Sequence, residues 1–292
     1  MRILIFGANG MLGHKLYQRL GENFEVVGTI RTAFHTIEKF EIFDRNSILE
    51  AVTVEDFTSI RRAIEFARPD CVINAIGVTK QAPELANPVS TLAINSVFPQ
   101  RLQKLSHELG FRLIMISTDC VYSGQTGYYS EDDIPDATDI YGISKLLGEV
   151  SSGNSLTLRT SIIGRELGTH QSIVEWFLGN RGARINGYTK AIFSGFPTTT
   201  FANILADLID RYPAMTGVWN VASEAISKHD LLLHLKEHFD VEVEIVPDDS
   251  VALNRSLDAS RFQKETGFAA APWNEMIMQM AVDPTPYDQW QG

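Results

Sequence analysis

The sequence predicts an α/β fold, a doubly wound parallel (Rossmann-type) sheet joined to a smaller α+β portion. Three observations predict it. Short buried apolar runs alternate with amphipathic helical stretches as far as Thr160, a glycine-rich turn separates the first run from the first helix, and the alternation loosens after Ile162. Strands that alternate with helices pair in parallel through right-handed crossovers, which produces a doubly wound sheet.

The first half of the chain supplies these strands and helices in order. The expected strands are Ile3–Phe6, Phe24–Gly28, Cys71–Ala75, Phe111–Ser117 and Ser155–Thr160. The expected helices are Met11–Leu20, a stretch from Ile60 to Ala67 that ends at Arg68 and Pro69, Val89–Leu109 and Tyr141–Val150. Apolar residues recur at helical spacing in each helix, which indicates one buried face.

The second half mixes short helices with strand-like pieces, so we predict a first domain over 1–163 and a substrate-facing portion over 164–292. The expected helices are Ser172–Gly179, Ala202–Asp210 and Lys228–Phe239, and the strand-like pieces are Val218–Val221 and Val241–Val246. We expect segments around 185–200 and 217–222 to return to the main sheet. A cleft between the two parts would hold the substrate.

Composition narrows the function classes. The 292 residues include 25 Lys+Arg and 36 Asp+Glu, a net charge of −11, which argues against a nucleic-acid partner. The longest uncharged run, Ala191 to Ala206, is too short and too broken for a membrane span. Two cysteines argue against a disulfide framework or a cysteine-rich metal site. We expect a cytoplasmic protein without a metal, and the oligomeric state stays open, with a homodimer considered.

A glycine motif marks a nucleotide-binding turn. Gly7, Gly10 and Gly13 follow the first strand and open the first helix, with Asn9, Met11 and Leu12 between them. Such glycines allow a tight turn and close approach of the backbone to a pyrophosphate, which the free N–H groups of the helix can bind. The spacing is G-x-x-G-x-x-G, and a plain tight turn is the alternative interpretation.

The end of the second strand bears on the cofactor. Arg31 stands where an acid would bind the ribose 2′-OH of NAD(H), whereas an arginine can hold the 2′-phosphate of NADP(H). This favours NADP(H), with NAD(H) as the alternative, and a solvated arginine is the other interpretation.

Three segments that should converge at strand ends carry acid–base side chains. Thr118 follows one strand, Asn74, Ala75 and Gly77 follow another, and Tyr141 and Lys145 share a helix face at i and i+4. The list of three catalytic candidates is Thr118, Tyr141 and Lys145. A nearby ammonium can lower the pKa of a phenol by about 1–3 units, so Tyr141 could give a proton to a ketone while Thr118 positions the carbonyl.

Together these motifs resemble the extended short-chain dehydrogenases/reductases, and within them the dTDP-4-dehydrorhamnose reductase branch. The resemblance also rests on Leu158-Arg159-Thr160-Ser161, Gly195-Phe196-Pro197-Thr198, Gly217-Val218-Trp219-Asn220 and Asn254-Arg255-Ser256-Leu257. It implies a cofactor site formed by Gly7, Asn9, Gly10, Met11, Leu12, Arg31, Asn74, Ala75, Gly77, Asn95, Tyr141 and Lys145. It implies substrate contacts from Thr118, Cys120, Tyr141, Arg159, Thr160, Trp176, Asn254 and Arg255.

The sequence departs from the family at two places. Thr53 stands where the family often has an acid beside the adenine, and Cys120 stands where this branch commonly has a tyrosine. Thr118-Asp119-Cys120 lacks the acid of the Thr-Asp-Glu triplet of dTDP-glucose 4,6-dehydratases, which disfavours a dehydratase. In GDP-fucose synthase a cysteine at this place works with a downstream histidine, and His170 could serve here. A buried packing cysteine and a surface histidine are the plainer interpretation.

The resemblance implies NADPH-dependent reduction of the C4 keto group of a nucleotide-diphospho 4-keto-6-deoxysugar, in deoxysugar or surface polysaccharide precursor synthesis. Residues 1–163 would bind the dinucleotide and 164–292 the sugar nucleotide. One alternative is an epimerase–reductase that uses Cys120 and His170. The other is a non-catalytic NADP-binding regulatory subunit, since some members of this branch are partners of other enzymes.

Overall fold

The computed structural model describes residues 1–290 and contains one large parallel sheet with helices on both faces. Strands β1 to β14 are, in chain order, Arg2–Phe6, Glu25–Thr29, Ile48–Leu49, Cys71–Asn74, Arg112–Ile116, Ser155–Arg159, Ile162–Ile163, Arg184–Tyr188, Ala191–Phe193, Phe196–Pro197, Gly217–Asn220, Ile226–Ser227, Glu244–Asp248 and Leu253–Asn254. Helices α1 to α10 are Met11–Leu20, Phe57–Ala67, Pro88–Leu92, Phe98–Leu109, Ile140–Leu147, Ile173–Leu178, Thr198–Arg211, Lys228–His238, Ser260–Thr266 and Trp273–Ala281.

The large sheet has seven strands in the order β11-β6-β5-β4-β1-β2-β3, all paired in parallel. The chain moves outward from β1 in one direction through β2 and β3, and then in the other through β4, β5 and β6. The strand order therefore reverses between β1 and β4. Ligands of open α/β sheets bind at such a switch point, outside the carboxyl ends of the strands. The expected doubly wound Rossmann-type sheet is confirmed.

Side chains of β1 alternate between two apolar cores, one on each face of the sheet. Leu4 and Phe6 pack with α2 and α4, and Ile3 and Ile5 pack with α1 and α7. All four side chains are fully buried. The period of two places both faces of β1 under helices, which explains why the sequence shows a continuous apolar run.

Within residues 164–290, one strand joins the large sheet and the other strands form three small sheets, one of them with β7. Strand β11 joins the edge beside β6, within the segment around 217–222. The segment around 185–200 does not return to the large sheet as expected, because β8 pairs with β13, β9 lies between β12 and β14, and β10 pairs with β7. These pairings join residues far apart in the sequence, so local patterns do not reveal them.

The long stretch expected as one helix over Val89–Leu109 contains a wider turn. Helix α3 passes into a π-helical turn over Ala93–Val97, which continues into α4. A Cβ added to Gly148, at the end of α5, would lie 1.9 Å from the Asn95 carbonyl oxygen. The glycine therefore lets α5 approach this turn closely. Single π-helical turns are frequent at functional sites.

The end of the described chain, residues 283–290, lies against α1. Lys15 donates to both Asp283 oxygens at 2.9 and 2.8 Å and to the Thr285 hydroxyl at 2.9 Å. The His14 ring contacts the Tyr287 hydroxyl at 2.7 Å through Nε2 and the Gly10 carbonyl at 2.8 Å through Nδ1. Because a carbonyl only accepts, Nδ1 carries the proton, and the Tyr287 hydroxyl donates to Nε2.

Candidate active site

The glycine-rich turn has the conformation and packing that an anion-binding turn needs. Gly7 has a φ of +80°, which favours glycine, and a Cβ on Gly13 would lie 1.9 Å from the Gly7 carbonyl oxygen. Helix α1 begins at Met11 without a side-chain cap at Gly10, so its first N–H groups are left for a ligand. Asn9 is half-buried in this turn. The Leu12 side chain packs in the core, and only its main chain is available to a cofactor.

The end of β4 lies directly beside this turn. Ala75 donates through its main chain to the Phe6 carbonyl at 3.0 Å, and a Cβ on Gly7 would lie 3.4 Å from the Ala75 carbonyl carbon. The buried Asn74 side chain accepts from the Ile76 N–H at 3.0 Å, which shapes the loop after the strand. The glycine turn and the loop after β4 therefore pack closely at the switch point between β1 and β4, where the Ile76 side chain would lie 3.0 Å from a Cβ on Gly7.

Asn95 and Lys145 meet at the next part of this loop. The buried Asn95 amide accepts from the Val78 N–H at 2.8 Å and donates to the Val78 carbonyl at 3.0 Å. A Cβ on Gly77 would lie 3.4 Å from Asn95 Oδ1 and 3.9 Å from Lys145 Nζ. Asn95 thus holds the loop from behind, and Gly77 leaves space beside the ammonium. Arg31 lies exposed in the segment after β2.

Thr118 and Tyr141 come together because two turns pack closely. Thr118 caps the single 3-10 turn over Asp119–Val121 and accepts from the Cys120 N–H at 3.1 Å. Asp139 caps α5 by accepting from the Gly142 N–H at 2.8 Å. A Cβ on Gly142 would lie 2.2 Å from the Cys120 carbonyl oxygen, so only glycine lets α5 begin against this turn. Tyr141 therefore faces Thr118.

Burial is the main influence on the pKa of the Tyr141 phenol. It raises the pKa of Tyr141 well above its usual value, and negative charge at Cys120, Asp119 or Asp139 acts in the same direction. A hydrogen bond with the Thr118 hydroxyl acts in the opposite direction. The sequence led us to expect that Lys145 lowers the pKa of this phenol, whereas burial is the largest influence in the structure and raises it. Tyr141 is protonated at neutral pH, as an ordinary tyrosine is.

Lys145 is held by the main chain of the neighbouring strand. Its ammonium donates to the Ile116 carbonyl oxygen at 2.6 Å. Burial lowers the pKa of Lys145 to about 8, while the Glu149 carboxylate raises it. The amine is therefore mostly protonated at pH 7 and loses its charge a little above that.

The two residues of the epimerase alternative lie in different surroundings. Burial and the neighbouring Asp119 raise the pKa of the Cys120 thiol to about 12, so it is a weak base at neutral pH. His170 is exposed, and a Cβ on Gly168 in the same loop would lie 3.6 Å from the Phe40 ring. That loop packs against residues that follow β2. The contacts of the described residues do not join His170 to Cys120.

Arg159 and Thr160, expected to contact substrate, are instead buried parts of the framework. The Arg159 guanidinium donates to Glu149 at 2.8 Å from both Nε and Nη2, and to the Tyr122 hydroxyl at 2.7 Å. Thr160 is buried and accepts from the Asp119 N–H at 3.2 Å through its carbonyl. Both side chains are buried and have protein partners, so their contact with substrate stays a prediction.

The other residues expected to contact substrate are Arg255, Asn254 and Trp176, and they have different surroundings. Arg255 donates to the Tyr122 carbonyl at 2.8 Å. Burial raises the pKa of both Asp119 and Cys120, and the Arg255 charge partly opposes this rise. Asn254 accepts from the Ser256 N–H at 3.1 Å and hydroxyl at 2.8 Å, within its own turn. Trp176 is 43% exposed on α6. Its contact with substrate remains a prediction.

Sequence reasoning missed four charged residues of the site. Lys228, the first residue of α8, carries a positive charge close to Asp119 and Cys120. Lys80 forms an ion pair with the capping Asp139 at 3.0 Å. The Glu149 carboxylate accepts two hydrogen bonds from the Arg159 guanidinium. An acid before a helix is a recognisable cap, so Asp139 could have been found from sequence, whereas Lys228 and Glu149 have no such local signal.

Residues 1–290 contain neither a membrane-spanning helix nor a cluster of metal-binding side chains. Within residues 1–290, no helix combines the length and the apolar character needed to cross a bilayer. In the same residues, no group of three or more His, Cys, Asp or Glu side chains is arranged to hold a metal ion.

Two named proteins are similar to this chain in sequence. A probable low-salt glycan biosynthesis reductase of Haloferax volcanii is 28% identical over 239 residues, 77% of this chain and 75% of its own length. The β subunit of methionine adenosyltransferase 2 of Xenopus laevis is 25% identical over 292 residues, 90% of this chain and 82% of its own length.

Two solved structures of similar fold are named as dTDP-4-dehydrorhamnose reductases. A hypothetical dTDP-4-dehydrorhamnose reductase of Sulfolobus tokodaii is 28% identical with a TM-score of 0.78, over 94% of this chain and 98% of its own. The dTDP-4-dehydrorhamnose reductase of Bacillus anthracis in complex with NADP is 20% identical with a TM-score of 0.78, over 96% and 98%, which shows the fold alone.

The model of the RmlD substrate binding domain matches residues 1–284, nearly the whole chain. The match spans the glycine turn, the Thr118 turn, the Tyr141 helix and the small sheets that follow. By that match the chain belongs to the RmlD substrate binding domain family.

Proposed function

We propose that this protein is an NADPH-dependent reductase of a nucleotide-diphospho 4-keto-6-deoxysugar, acting at the C4 ketone. The observation that carries the proposal is the meeting of three groups: a protonated phenol at Tyr141, the Thr118 hydroxyl that hydrogen-bonds it, and the Lys145 ammonium one helical turn away. The membership in the RmlD family and the names of its relatives support the substrate class.

The residues around the switch point fit a dinucleotide cofactor. Gly10 leaves main chain exposed at the start of α1, and the buried Gly13 lets the helix pack against the main chain of Gly7, which a Cβ would prevent. Gly77 leaves the space beside Lys145, where a ribose hydroxyl could bind. The exposed Arg31 is suited to the 2′-phosphate of NADP(H), with NAD(H) as the second choice. The chemistry that bound NADPH supplies is hydride donation.

The chain's own groups would manage the proton and the carbonyl. Thr118 hydrogen-bonds the carbonyl oxygen and orients it, and Tyr141 holds a proton for that oxygen as negative charge develops. The Tyr141 phenol is protonated at pH 7 and so holds a proton to give, although its raised pKa makes it a weaker acid than an exposed tyrosine. Lys145 stabilises the phenolate that remains and connects it to solvent for reprotonation.

The substrate would lie across the turn that carries Cys120. Arg255 and Lys228 bring two positive charges to this side of the site, next to Asp119. A nucleotide diphosphate carries the complementary charge, which suits a sugar nucleotide better than a neutral sugar. This differs from the sequence-based list, since Lys228 replaces Arg159 as a cation available to substrate.

Turnover of a keto-sugar nucleotide by matched tyrosine variants tests the proposal. The purified chain is incubated with NADPH and a panel of 4-keto-6-deoxysugar nucleotides, and products are identified by NMR. Tyr141→Phe should lower the rate by about 10²–10⁴. Tyr212→Phe is the control, because that phenol donates at 2.7 Å to the Thr266 carbonyl away from the site. Equal activity of Tyr141→Phe and wild type would overturn the assignment.

A regulatory subunit is the second candidate function, favoured by the similarity to the β subunit of methionine adenosyltransferase 2. It predicts cofactor binding without turnover across the whole substrate panel. The epimerase–reductase alternative receives no such support, since the contacts of the described residues do not join His170 to Cys120 and the Cys120 thiol stays protonated. Deuterium from solvent at C3 or C5 of the product sugar would nevertheless reveal it.

A further inference from the structure

A buried ion pair lies directly behind the candidate catalytic groups. Glu149 and Arg159 meet in a two-pronged contact, with both N–O distances at 2.8 Å and side chains only 8% and 7% exposed. Burying two charges is costly, and apolar residues of similar volume often stabilise a fold as well or better. Stability alone is therefore a weak reason for this pair.

The pair holds both ends of the turn that carries Thr118. On one side the Ser117 hydroxyl donates to Glu149 Oε1 at 2.7 Å. On the other side Arg159 Nη1 donates to the Tyr122 hydroxyl at 2.7 Å, and that hydroxyl donates onward to the Ser130 carbonyl at 2.7 Å. The residue before Thr118 and the residue after the turn are therefore both tied to one ion pair.

The same carboxylate is also tied to the helix that carries Tyr141 and Lys145. Glu149 follows α5 and lies four positions after Lys145, whose ammonium donates to the Ile116 carbonyl. Ile116 and Ser117 are consecutive, so the end of β5 is attached to the end of α5 twice, once through Lys145 and once through Glu149. Movement of the pair would change the relation between the strand and the helix.

We propose that the Glu149–Arg159 pair is a positioning element, which fixes the Thr118 turn and helix α5 so that Thr118, Tyr141 and Lys145 face one substrate oxygen. The assignment rests on the proposed function, because it concerns the geometry of that reaction. Neither residue touches substrate: each acts through Ser117, Tyr122 or Lys145. Arg159 is thus assigned to the framework of the site instead of to substrate binding.

The pair also acts on Lys145 through the charge of Glu149, an effect that residues with only a structural role would not have. The Glu149 charge raises the pKa of Lys145 against burial. The titratable and charged groups around the pair are Lys145 from α5, Tyr122 from the turn, and Glu131 and Asp133 from the following loop. With Glu149 neutral, Lys145 should lose its proton at a lower pH.

Conservative variants with matched controls test the inference. Glu149→Gln and Arg159→Lys should lower kcat about 10- to 100-fold, since small misplacements of catalytic groups have effects of this size. The Kd for NADPH should stay within about twofold of wild type. The controls are Glu175→Gln, from a pair at 2.7 Å that is equally buried, and Arg112→Lys, a buried arginine bonded to carbonyls at the other end of β5. Both should keep kcat and its pH profile.

A readout that needs no substrate separates this inference from the proposed function. The pH dependence of trace reductive methylation of Lys145, followed by mass spectrometry, reports its protonation directly. In Glu149→Gln the midpoint should move to lower pH, and in Glu175→Gln it should not move. If wild type reduces no keto-sugar nucleotide, the proposed function fails, and this shift still decides whether the pair acts on Lys145.

The outcomes are distinct. An unchanged kcat and an unchanged Lys145 midpoint in folded Glu149→Gln would overturn the inference, as would equal losses of activity in the control variants. If Glu149→Gln does not fold, Ser117→Ala and Tyr122→Phe each remove one connection to the pair. These variants should lower kcat without weakening NADPH binding, and wild-type kcat in both would overturn the inference.

Discussion

The glycine turn should not tolerate a methyl group at Gly13. A Cβ there would lie 1.9 Å from the Gly7 carbonyl oxygen and 2.8 Å from its carbon, and both partners are main chain. An ordinary contact needs more than 3 Å, so the turn and α1 must separate by more than an ångström. Overpacking of this kind costs about 1–3 kcal/mol, which lowers the Tm of a domain this size by about 2–12 °C.

Cofactor binding should suffer more than stability. A shift of this size would take at least one N–H of α1 out of reach of a phosphate, and charge-assisted hydrogen bonds contribute about 1.5–3 kcal/mol each. The Kd for NADPH should therefore rise about 10- to 100-fold in Gly13→Ala. Isothermal titration calorimetry measures this directly, and thermal unfolding of the same sample gives the change in stability.

Gly179→Ala is the matched control outside the motif. Gly179 follows α6 with a φ of −71°, and its added Cβ would lie 3.4 Å from the Glu175 carbonyl oxygen, an ordinary contact. Its Kd for NADPH should stay close to wild type. If Gly13→Ala bound NADPH as tightly as Gly179→Ala, the assignment of the cofactor's phosphates to this turn would be refuted.

Three further predictions concern titratable groups. Because the pKa of Lys145 is about 8, kcat should fall about tenfold between pH 7 and pH 9 in a stopped-flow NADPH assay, and a flat profile would contradict its role. Cys120→Ala and His170→Ala should each leave solvent deuterium out of the product sugar, as wild type does. Burial lowers the pKa of His14 to about 4, below its value near 6.5 in the unfolded chain. The stability that the neutral His14 ring contributes is therefore present above pH 6.5 and is lost as the pH falls towards 4. Urea unfolding should show this loss in wild type and less of it in His14→Gln, while Tyr287→Phe should leave a buried ring nitrogen unpaired at a cost of about 1–3 kcal/mol.

The first half of the fold could be predicted because its signals are local. Helix α1 begins and ends at Met11 and Leu20 as expected, since a glycine turn precedes it and apolar residues mark its buried face. Strands β4, β5 and β6 lie within a residue or so of their expected bounds, because buried parallel strands read as apolar runs. The two-residue strand β3 carries no such run and was not predicted.

The rest depends on contacts between distant residues. The small sheets pair β9 with β12 and β14, more than thirty positions later in the chain, and no local pattern encodes these partners. The site shows the same division. The sequence placed Thr118, Tyr141 and Lys145 at converging strand ends, whereas the role of Arg159 depended on which way its side chain points, and that direction followed from a buried partner.

The contacts of α1 with the last described residues have a consequence for synthesis of the protein. His14 and Lys15 find their partners at Tyr287 and Asp283, which follow them by 273 and 268 positions. While the ribosome is still making the intervening residues, the helix behind the glycine turn has its buried ammonium and imidazole without these partners. The region behind the glycine turn of a nascent chain therefore gains these contacts only after residues 283–287 have been made, long after the glycines themselves.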